Sequence, residues 1–488
     1  MLHLFHLSTD KDTSLQQQLR EQIATAILNG NIPADSPLPS SRKLATQLSI
    51  ARNTVVLAYE HLLDDGYLVA RERSGYYVNP DILQGKVKQQ QKTPAAVAAT
   101  PPNWQQKLKV FPSNQSNMRK PRDWQKYQYP FIYGQFDPSL FPTNNWRECC
   151  RDAVSVPAIR DWASDRFDND DPLLIEQIRT RLLPRRGVWA SAEQILVTVG
   201  AQQSLYMLAR LLLDPNSVMG IEDPGYVDIR NIANLNPSQV IALPVDEEGM
   251  IIDDRLNGCD CVFTTPSHHC PTTVTMPIER RYELLQKANE HDFVIIEDDY
   301  ESETNFKSNP IPALKSLDKN DRVLYVGSLS KTLAPGLRLG YLVGPAEFIR
   351  EARALRRLMV RHPAANNQRS VALFLERGYH DALIMTIMRA YEERWQAMGA
   401  ALSEYMPESF VKPGFGGSCY WVKGPDGLDA RLLRKEAADR GILIEPGDIH
   451  FQSDPPPLNY FRLGYSSITA ERIGPGIKAL AELIEDMV

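Results

Sequence analysis

The sequence lacks the signatures of several protein classes. Its six cysteines include no Cys-x-x-Cys pair, and the neighbouring pairs Cys149/Cys150 and Cys259/Cys261 are too close for common zinc ligands. No apolar run approaches the length that spans a bilayer. The first residues, 1–6, have neither the charged nor the long apolar segment of an export signal. We therefore expect no metal site, no membrane span and a reduced, cytoplasmic environment.

The chain also has no excess of positive charge. Its 54 Lys and Arg residues face 60 Asp and Glu residues, which gives a formal net charge of −6. Any binding to nucleic acid must therefore come from local charge. A content of 43% hydrophobic and 23% charged residues is typical of soluble globular proteins. At 488 residues, and without an internal repeat, the chain is expected to form two or more domains.

The stretch 323–341 is the most informative part of the sequence. Its apolar, β-branched start predicts a strand buried on both faces, and Ser328, Ser330, Lys331 and Arg338 follow. A lysine after serine is usually solvated, but at the exit of a buried strand it can be desolvated and nucleophilic toward a carbonyl. Pyridoxal 5′-phosphate (PLP) requires this set: an amine for a Schiff base, and hydroxyls and a cation for the phosphate.

A second buried strand, at 293–296, runs into Glu297, Asp298 and Asp299. A carboxylate at a strand end can hold the pyridine nitrogen of PLP protonated, which makes the ring an electron sink. Taken alone, Asp298 is better interpreted as the start of a loop. Because Lys331 follows the next strand of this type, a PLP site is the favoured interpretation.

The first 80 residues predict a small helical head with a β-hairpin. Helices are indicated at 14–30, 40–48 and 52–63, and the hairpin at 67–78. This order is that of a winged helix-turn-helix, in which the second helix of the turn motif enters the major groove with its first residues. The candidate DNA contacts are Ser40, Ser41, Arg42, Arg52, Asn53, Thr54, Arg71 and Gly75. A protein-binding helical domain is the alternative, and the polar and basic helix starts favour DNA.

Residues 81–130 are rich in Gln, Pro, Ala and Lys and predict a flexible basic linker, because such a composition buries little apolar area. Most such linkers are only solvated, but this one can add sequence-independent attraction to phosphates. From 131 to 488, strands alternate with helices, which predicts an α/β domain with a mainly parallel sheet and a smaller C-terminal α+β lobe.

Five segments resemble those of known families. The segments SLSKTLAPGLRLGY (328–341) and IIEDDY (295–300) are similar to those of fold-type I PLP aminotransferases, and in particular to the MocR branch of the GntR regulators. The LPSSR, ARNTV and SGYYV segments resemble the GntR head, in which the matching positions contact DNA. The resemblance covers nearly the whole chain.

The resemblance implies roles for further residues. Lys331 would hold PLP as an internal aldimine, Tyr226 would stack on its ring, and Tyr300 would bond its phenolic oxygen. The junction of Gly200, Ala201 and Gln202 suits a phosphate through helix amides, although many α/β turns have one. The implied cofactor contacts are Gly200, Ala201, Gln202, Tyr226, His268, Asp298, Tyr300, Ser328, Ser330, Lys331 and Arg338.

One segment departs from the family pattern. Where the family carries Gln, Asn and Gly, this chain has His269, Cys270 and Thr273, which puts the cofactor contacts there in doubt. Near the C-terminus, Arg462 aligns with the arginine that binds a substrate carboxylate, and Arg230 is a weaker effector-binding candidate. A structural salt bridge is the alternative role for Arg462.

The expected function is that of a PLP-dependent transcription regulator. It would sense a small amino compound as an external aldimine, in a head-to-tail homodimer whose heads read repeated half-sites. Family effectors include GABA, taurine, ectoine-derived diaminobutyrates and vitamin B6, and the sequence does not choose among them. The alternatives are a working aminotransferase with an accessory head, for which half-transamination is feasible, and a PLP-carrying scaffold that does not bind DNA.

The two arginines at the helix starts of the head, Arg42 and Arg52, should contribute to specific DNA binding. Arg42→Ala and Arg52→Ala should each weaken specific DNA binding by roughly 1–3 kcal/mol, if each arginine makes a bidentate base contact. Removing linker lysines should instead weaken binding to all sequences alike and flatten its salt dependence. Gel-shift titrations at several salt concentrations measure both effects, and equal binding by the wild type and both arginine variants would contradict the docking.

Overall fold

The structure is a computed structural model of the chain. It describes residues 5–8, 13–83, 101–165, 167–236, 238–301, 303, 311–329, 331–407, 409 and 416–488. These residues form two compact units, Met1–Lys107 and Leu108–Val488. The predicted phosphate contact Ser330 and residues 84–100 of the predicted linker lie outside the described residues. No helix of the described part is long and apolar enough to cross a membrane.

The first unit is the predicted winged helix-turn-helix. It contains α1 (Leu15–Leu28), α2 (Ser41–Leu48), α3 (Arg52–Asp64), β1 (Leu68–Arg71), β2 (Gly75–Val78) and the short α4 (Trp104–Lys107). Strands β1 and β2 pair antiparallel and form the wing. The core of this unit is apolar and fully buried, which fixes the helices against one another; it includes Leu19, Ile23, Ile27, Val55, Ala58, Tyr59 and Leu62.

The second unit is built on an eight-stranded sheet. Its strands are β4 (Ile195–Thr198), β5 (Val218–Asp223), β6 (Gln239–Asp246), β7 (Gly249–Met250), β8 (Cys261–Thr264), β9 (Val294–Asp299), β10 (Val323–Ser328) and β11 (Gly340–Val343); the two-residue β3 (Tyr129–Pro130) precedes them. The order is β4-β11-β10-β9-β8-β5-β6-β7. The pairs from β6 through β5, β8 and β9 to β10 are parallel, so their carboxyl ends share one edge.

Helices cover this sheet, as expected for an α/β domain. They are α5 (Thr143–Ala153), α6 (Val156–Trp162), α7 (Pro172–Gln177), α8 (Ala201–Leu212), α9 (Val227–Asn234), α10 (Ile278–His291), α11 (Leu314–Leu317), α12 (Ala346–Val360) and α13 (Ala365–Glu376). The smaller C-terminal lobe has α14 (Tyr379–Tyr405), β12 (Cys419–Lys423), α15 (Ala430–Asp439), β13 (Ile442–Leu443), β14 (Glu445–Pro446), β15 (Tyr460–Gly464) and α16 (Ala470–Met487). The predicted fold class is confirmed.

The second half of the predicted linker behaves differently from a flexible spacer. Residues 108–130 belong to the second unit. Nε2 of Gln115 donates to the carbonyl of Asn231 at 2.7 Å, and Nζ of Lys120 lies 3.2 Å from Oε1 of Glu445. The polar side chains that predicted solvation thus find partners on the domain surface.

A buried ion pair joins α12 to the sheet. Asp170, which has no exposed side-chain surface, accepts hydrogen bonds from Arg356 at 2.5 Å, Arg353 at 2.9 Å and the amide of Val197 at 3.2 Å. Arg356 is also fully buried. Because a buried charge without its partner is costly, this cluster is expected to contribute strongly to stability.

We expect Asp170→Ala to lower the free energy of unfolding by about 3–5 kcal/mol, because Arg356 would keep a buried charge without its carboxylate. The control Arg350→Ala, at an exposed pair with Glu351, should change it by less than about 0.5 kcal/mol. Urea unfolding followed by circular dichroism measures both. Equal stability of the two variants would show that the buried pair is not important for folding.

Candidate cofactor and effector site

A cavity of about 520 Å³ opens at the carboxyl edge of the parallel strands. Most of the residues predicted from sequence to contact the cofactor or the effector line it: Ala201, Gln202, Tyr226, Asp298, Tyr300, Ser328, Lys331, Arg338 and Arg462. A volume of this size is typical of small-molecule sites. The sheet topology therefore brings together residues that are up to 261 positions apart in the sequence.

Lys331 lies directly beyond the end of β10 and is half-buried. Its Nζ is 4.0 Å from the centre of the Tyr133 ring. A Cβ at Gly134 would come within 2.8 Å of this amine, and Gly134 has a φ of +72°, so glycine suits the position on both counts. Desolvation in the cavity lowers the pKa of Lys331 to about 8, which increases the share of neutral, nucleophilic amine at neutral pH.

Asp298, at the end of β9, is 4% exposed, and its Oδ1 has no hydrogen-bond partner among the described residues. Burial raises the pKa of this carboxyl to about 7. Its neighbour Asp299 is fully engaged, since it pairs with Arg186 at 2.7 Å and accepts from the hydroxyl of Tyr325 at 2.8 Å. Asp298 is therefore the carboxylate that remains for a cationic group in the cavity.

The predicted phosphate contacts meet at the start of α8. Gly200 has a φ of +73°, and a Cβ there would lie 2.9 Å from Nη2 of Arg338. The same nitrogen lies 3.4 Å from the carbonyl of Val199. The first amides of this twelve-residue helix, the exposed guanidinium of Arg338 and the hydroxyl of Ser328 can together hold a phosphate.

Two aromatic residues border the same space. The hydroxyl of Tyr226 is 3.1 Å from both Oε1 of Gln202 and Oδ2 of Asp228, and its ring stacks on that of Phe263 with centres 6.4 Å apart. Tyr300 contacts the ring of His268 edge-on at 6.3 Å. These contacts hold the Tyr226 ring in one position at the cavity, as is required of a residue that stacks on a cofactor ring.

The segment that departs from the family pattern is mostly turned away from the cavity. Nε2 of His268 lies 3.3 Å from Oε2 of Glu301 rather than at the cavity lining. His269 is buried, with Nδ1 2.6 Å from the hydroxyl of Thr272, and burial lowers its pKa to about 3. Cys270 does line the cavity. Thr273 has a φ of +66°, a conformation that favours the glycine of the family pattern.

The two effector-binding candidates differ in placement. Arg462 lines the cavity, with its Cζ 4.0 Å from the centre of the Tyr133 ring, but it also pairs with Glu445 at 2.9 Å. Arg230 is not brought to the cavity. Its guanidinium donates to the carbonyls of Phe451 and Ile449, at 2.8 and 2.5 Å, and so holds a loop.

The candidate DNA contacts lie at the surface of the head. Ser40 caps α2, accepting from the amide of Lys43 at 3.3 Å, while Arg42, Arg52 and Asn53 are exposed. Oγ of Ser41 is 3.5 Å from Nε of Arg52, and Thr54 is half-buried. In the wing, Gly75 has a φ of +105° at the turn. Arg71 pairs with Asp35, and its guanidinium lies 4.1 Å from the centre of the Tyr77 ring. The start of α3 therefore presents polar side chains to solvent, as a reading helix requires.

The comparisons with known proteins agree with both units. Residues 15–78 match the family described as bacterial regulatory proteins of the gntR family, and residues 168–449 match aminotransferase class I and II. The chain is 41% identical over 483 residues to the HTH-type transcriptional regulator TauR of Rhodobacter capsulatus, covering 98% of each chain. It is 29% identical to the probable rhizopine catabolism regulatory protein MocR of Rhizobium meliloti, covering 97% of this chain and 94% of that one.

The chain belongs to the MocR subfamily of the GntR transcription regulators.

The fold of the second unit of this MocR-type chain is similar to that of solved aminotransferase structures. The kynurenine aminotransferase of Pyrococcus horikoshii is 30% identical, with a TM-score of 0.68 over 76% of this chain and 96% of that one. LysN, an α-aminoadipate aminotransferase of Thermus thermophilus, is 26% identical, with a TM-score of 0.69 over 79% of this chain and 98% of that one. The latter structure contains a phosphopyridoxyl-leucine compound.

The cofactor of this MocR-type domain is PLP, and the cavity fits it. The orphaned Oδ1 of Asp298 suits a protonated ring nitrogen, Lys331 provides a desolvated amine, and the Gly200 junction leaves room for a phosphate beside Arg338. The sequence did not indicate Lys120 and Glu445 as cavity or near-cavity residues. Only their charge could have indicated them, because neither belongs to a motif.

The lowered pKa of Lys331 predicts how the reactivity of its amine should depend on pH. In PLP-depleted protein, its labelling by an amine-reactive reagent should rise about tenfold per pH unit and level off near pH 8, because only the neutral amine reacts. An ordinary lysine would rise up to about pH 10.4. In the holoprotein, borohydride should fix the cofactor to Lys331, and Lys331→Ala should abolish this covalent product.

Mass spectrometry of the digested protein measures both effects, with the exposed Lys126 as the reference site in the same digest. Reduction of the cofactor onto another lysine would show that the assignment of Lys331 is wrong. A labelling profile of Lys331 that still rises above pH 10 would show that the cavity does not desolvate it.

Proposed function

We propose that the chain regulates transcription in response to a small amino compound that occupies the cavity together with PLP. The observation that carries the proposal is the combination, in one chain, of a cavity lined by most of the expected cofactor residues and a full winged helix-turn-helix. A metabolic enzyme does not need a DNA-reading head. The proposal includes a head-to-tail homodimer, paired heads on repeated half-sites, and action in the cytoplasm, where bacterial DNA is located.

The residues of the cavity have distinct parts in this function. PLP, when bound, supplies an aldehyde carbon that bonds reversibly to primary amines. Lys331, whose lowered pKa of about 8 increases the share of neutral amine, would be the protein's own amine at that position, where an effector amine would compete with it. Asp298 would keep a proton on the ring nitrogen, and Arg338 with the start of α8 would hold the phosphate. Arg462 lies on the side of the cavity where the effector's other end is expected.

An effector can change DNA binding only if it binds two conformations of the protein with different affinity. The segment 115–120 offers a route for this difference. Asn117, Met118 and Lys120 line the cavity, and the chain runs from them back toward the head through the predicted linker. An effector that displaces or orders these residues would therefore change the conformation of the segment 115–120, which is the end of the linker on the cavity side.

A working aminotransferase is the second candidate function. It is favoured by one observation, namely that the amine of Lys331 and the carboxylate of Asp298 both line the cavity, as transamination requires. Release of a keto acid from an amino acid, with conversion of the cofactor to its amine form in each turnover, would support this reading. A single half-reaction without turnover would be compatible with the regulator.

The proposal is tested by titrating the full chain with DNA from its own upstream region. We expect PLP together with an effective amine to shift the affinity for this DNA by about 5- to 150-fold, the range of typical allosteric coupling. Arg462→Ala should retain PLP and DNA binding but lose this shift. The control Arg440→Ala, at an exposed pair with Asp486, should respond like the wild type.

Gel-shift titrations and the visible spectrum of the cofactor should be recorded on the same samples. An Arg462→Ala protein that responds at wild-type effector concentrations would show that this arginine is structural. A wild-type protein that binds amines but never changes its DNA affinity would contradict the regulatory function.

A further inference from the structure

The arginine expected to bind an acidic group is not an available cation in this structure. Nε and Nη2 of Arg462 lie 3.0 and 2.9 Å from Oε2 of Glu445, and Nη2 also lies 2.9 Å from Sδ of Met118. Arg462 is 1% exposed and Glu445 6%. The planar edge that arginine would offer to a ligand carboxylate is thus already in use.

This pairing is built into the backbone. Glu445 on β14 and Arg462 on β15 are directly opposite each other in an antiparallel pair. Residues in that position have side chains close enough to interact on the same face of the sheet. The pair is therefore fixed by register, and its two charges cancel at the effector end of the cavity.

Lys120 adds a second cation to this pair. Its Nζ lies 3.2 Å from Oε1 of Glu445 and donates to the carbonyl of Tyr133, and the side chain is 24% exposed. Lys120 also lines the cavity, as Arg462 does. Two cations around one carboxylate leave one positive charge, in a place where water is largely excluded and charge is therefore effective.

The ring of Tyr133 brings this cluster next to Lys331. Nζ of Lys331 and Cζ of Arg462 are each 4.0 Å from the ring centre, and Nζ of Lys120 is 5.6 Å from it. Lys331 and Arg462 are therefore separated by at most twice 4.0 Å. One small molecule can reach both the position of the Lys331 amine and the cations beyond the ring.

We propose that Lys120 determines the specificity of the site for amino compounds with an anionic group, because Arg462 is neutralised by Glu445 and only Lys120 leaves a positive charge for such a group. The inference rests on the proposed function of the cavity as an amine-binding site. It assigns to Lys120 a role in binding the acidic end through its ammonium group. An amine without an anionic group would gain nothing from it.

The test uses the full-length holoprotein and three probes: β-alanine and taurine, which carry an acidic end, and n-propylamine, which does not. Affinities are measured by calorimetry and by the visible spectrum of the cofactor. Lys120→Met should weaken the two acidic probes by roughly 10- to 100-fold, the usual effect of losing a hydrogen bond to a charged group. Its effect on n-propylamine should be less than about twofold, because that probe has no anionic group to pair with Lys120.

Two further variants test whether the charge of Lys120 is the cause of the selectivity. Glu445→Gln removes the competing carboxylate without changing its size, so it should strengthen binding of both acidic probes. Lys126→Met is the matched control, because Lys126 is an exposed lysine of the same segment and pairs with Asp123 at the surface. It should bind all three probes like the wild type.

The outcomes distinguish this inference from the proposed function. Equal weakening of all three probes in Lys120→Met, or no weakening of the acidic ones, would overturn the inference, since Lys120 would then act on Lys331 or on the fold. A wild type that binds no primary amine would overturn both proposals. Selective loss of the acidic probes, with DNA affinity unaffected by any probe, would support the charge selection and contradict the regulatory function.

Discussion

The register between β9 and β10 is the constraint on which the cavity depends. The two strands pair in parallel, with Val326 opposite Asp298 and Gly327 opposite Asp299. Because side chains alternate between the faces of a strand, Asp298 points to the cavity while Asp299 reaches Arg186 on the other face. A shift by one residue would exchange these two carboxylates and misplace Lys331, which follows β10. On the other side of β10, Gly327 permits the close approach of β11, since a Cβ there would lie 2.2 Å from the ring of Tyr341.

The buried carboxylates around the sheet show which groups are structural. Glu297 accepts from the amides of Leu314 and Lys315, at 2.8 Å each, and so holds the start of α11. Glu222 accepts from Thr264 and Thr265 at 2.6 to 3.1 Å. Burial raises the pKa of both to about 7, yet each is satisfied by the protein itself. Asp298 is equally buried but keeps an oxygen without a partner among the described residues, which is the physical difference between a structural and a ligand-binding carboxylate.

Much of this arrangement could be predicted from sequence because it is local. The apolar runs that became β9 and β10, and the polar residues at their ends, carry their own signal. The pairing of Glu445 with Arg462 could not be predicted, since it depends on which strands of the small lobe are neighbours. Arg230 has the same chemistry as Arg462, and only the position of α9 decides that its guanidinium holds a loop.

The basic segment before the large domain shows most clearly how tertiary contacts change the meaning of a sequence. Its composition assigns the same role to every lysine and arginine, that of a solvated or phosphate-attracting charge. In the structure, Lys120 is mostly buried against Glu445, whereas Lys107, Lys109, Arg119, Arg122 and Lys126 are exposed. Only an exposed cation can contact a DNA phosphate and release its counterion. Each such contact makes the slope of log affinity against log salt concentration more negative by about 0.9. Among its described residues, the segment is therefore divided by packing rather than by composition: Lys120 lines the cavity, and the other cations named here are exposed.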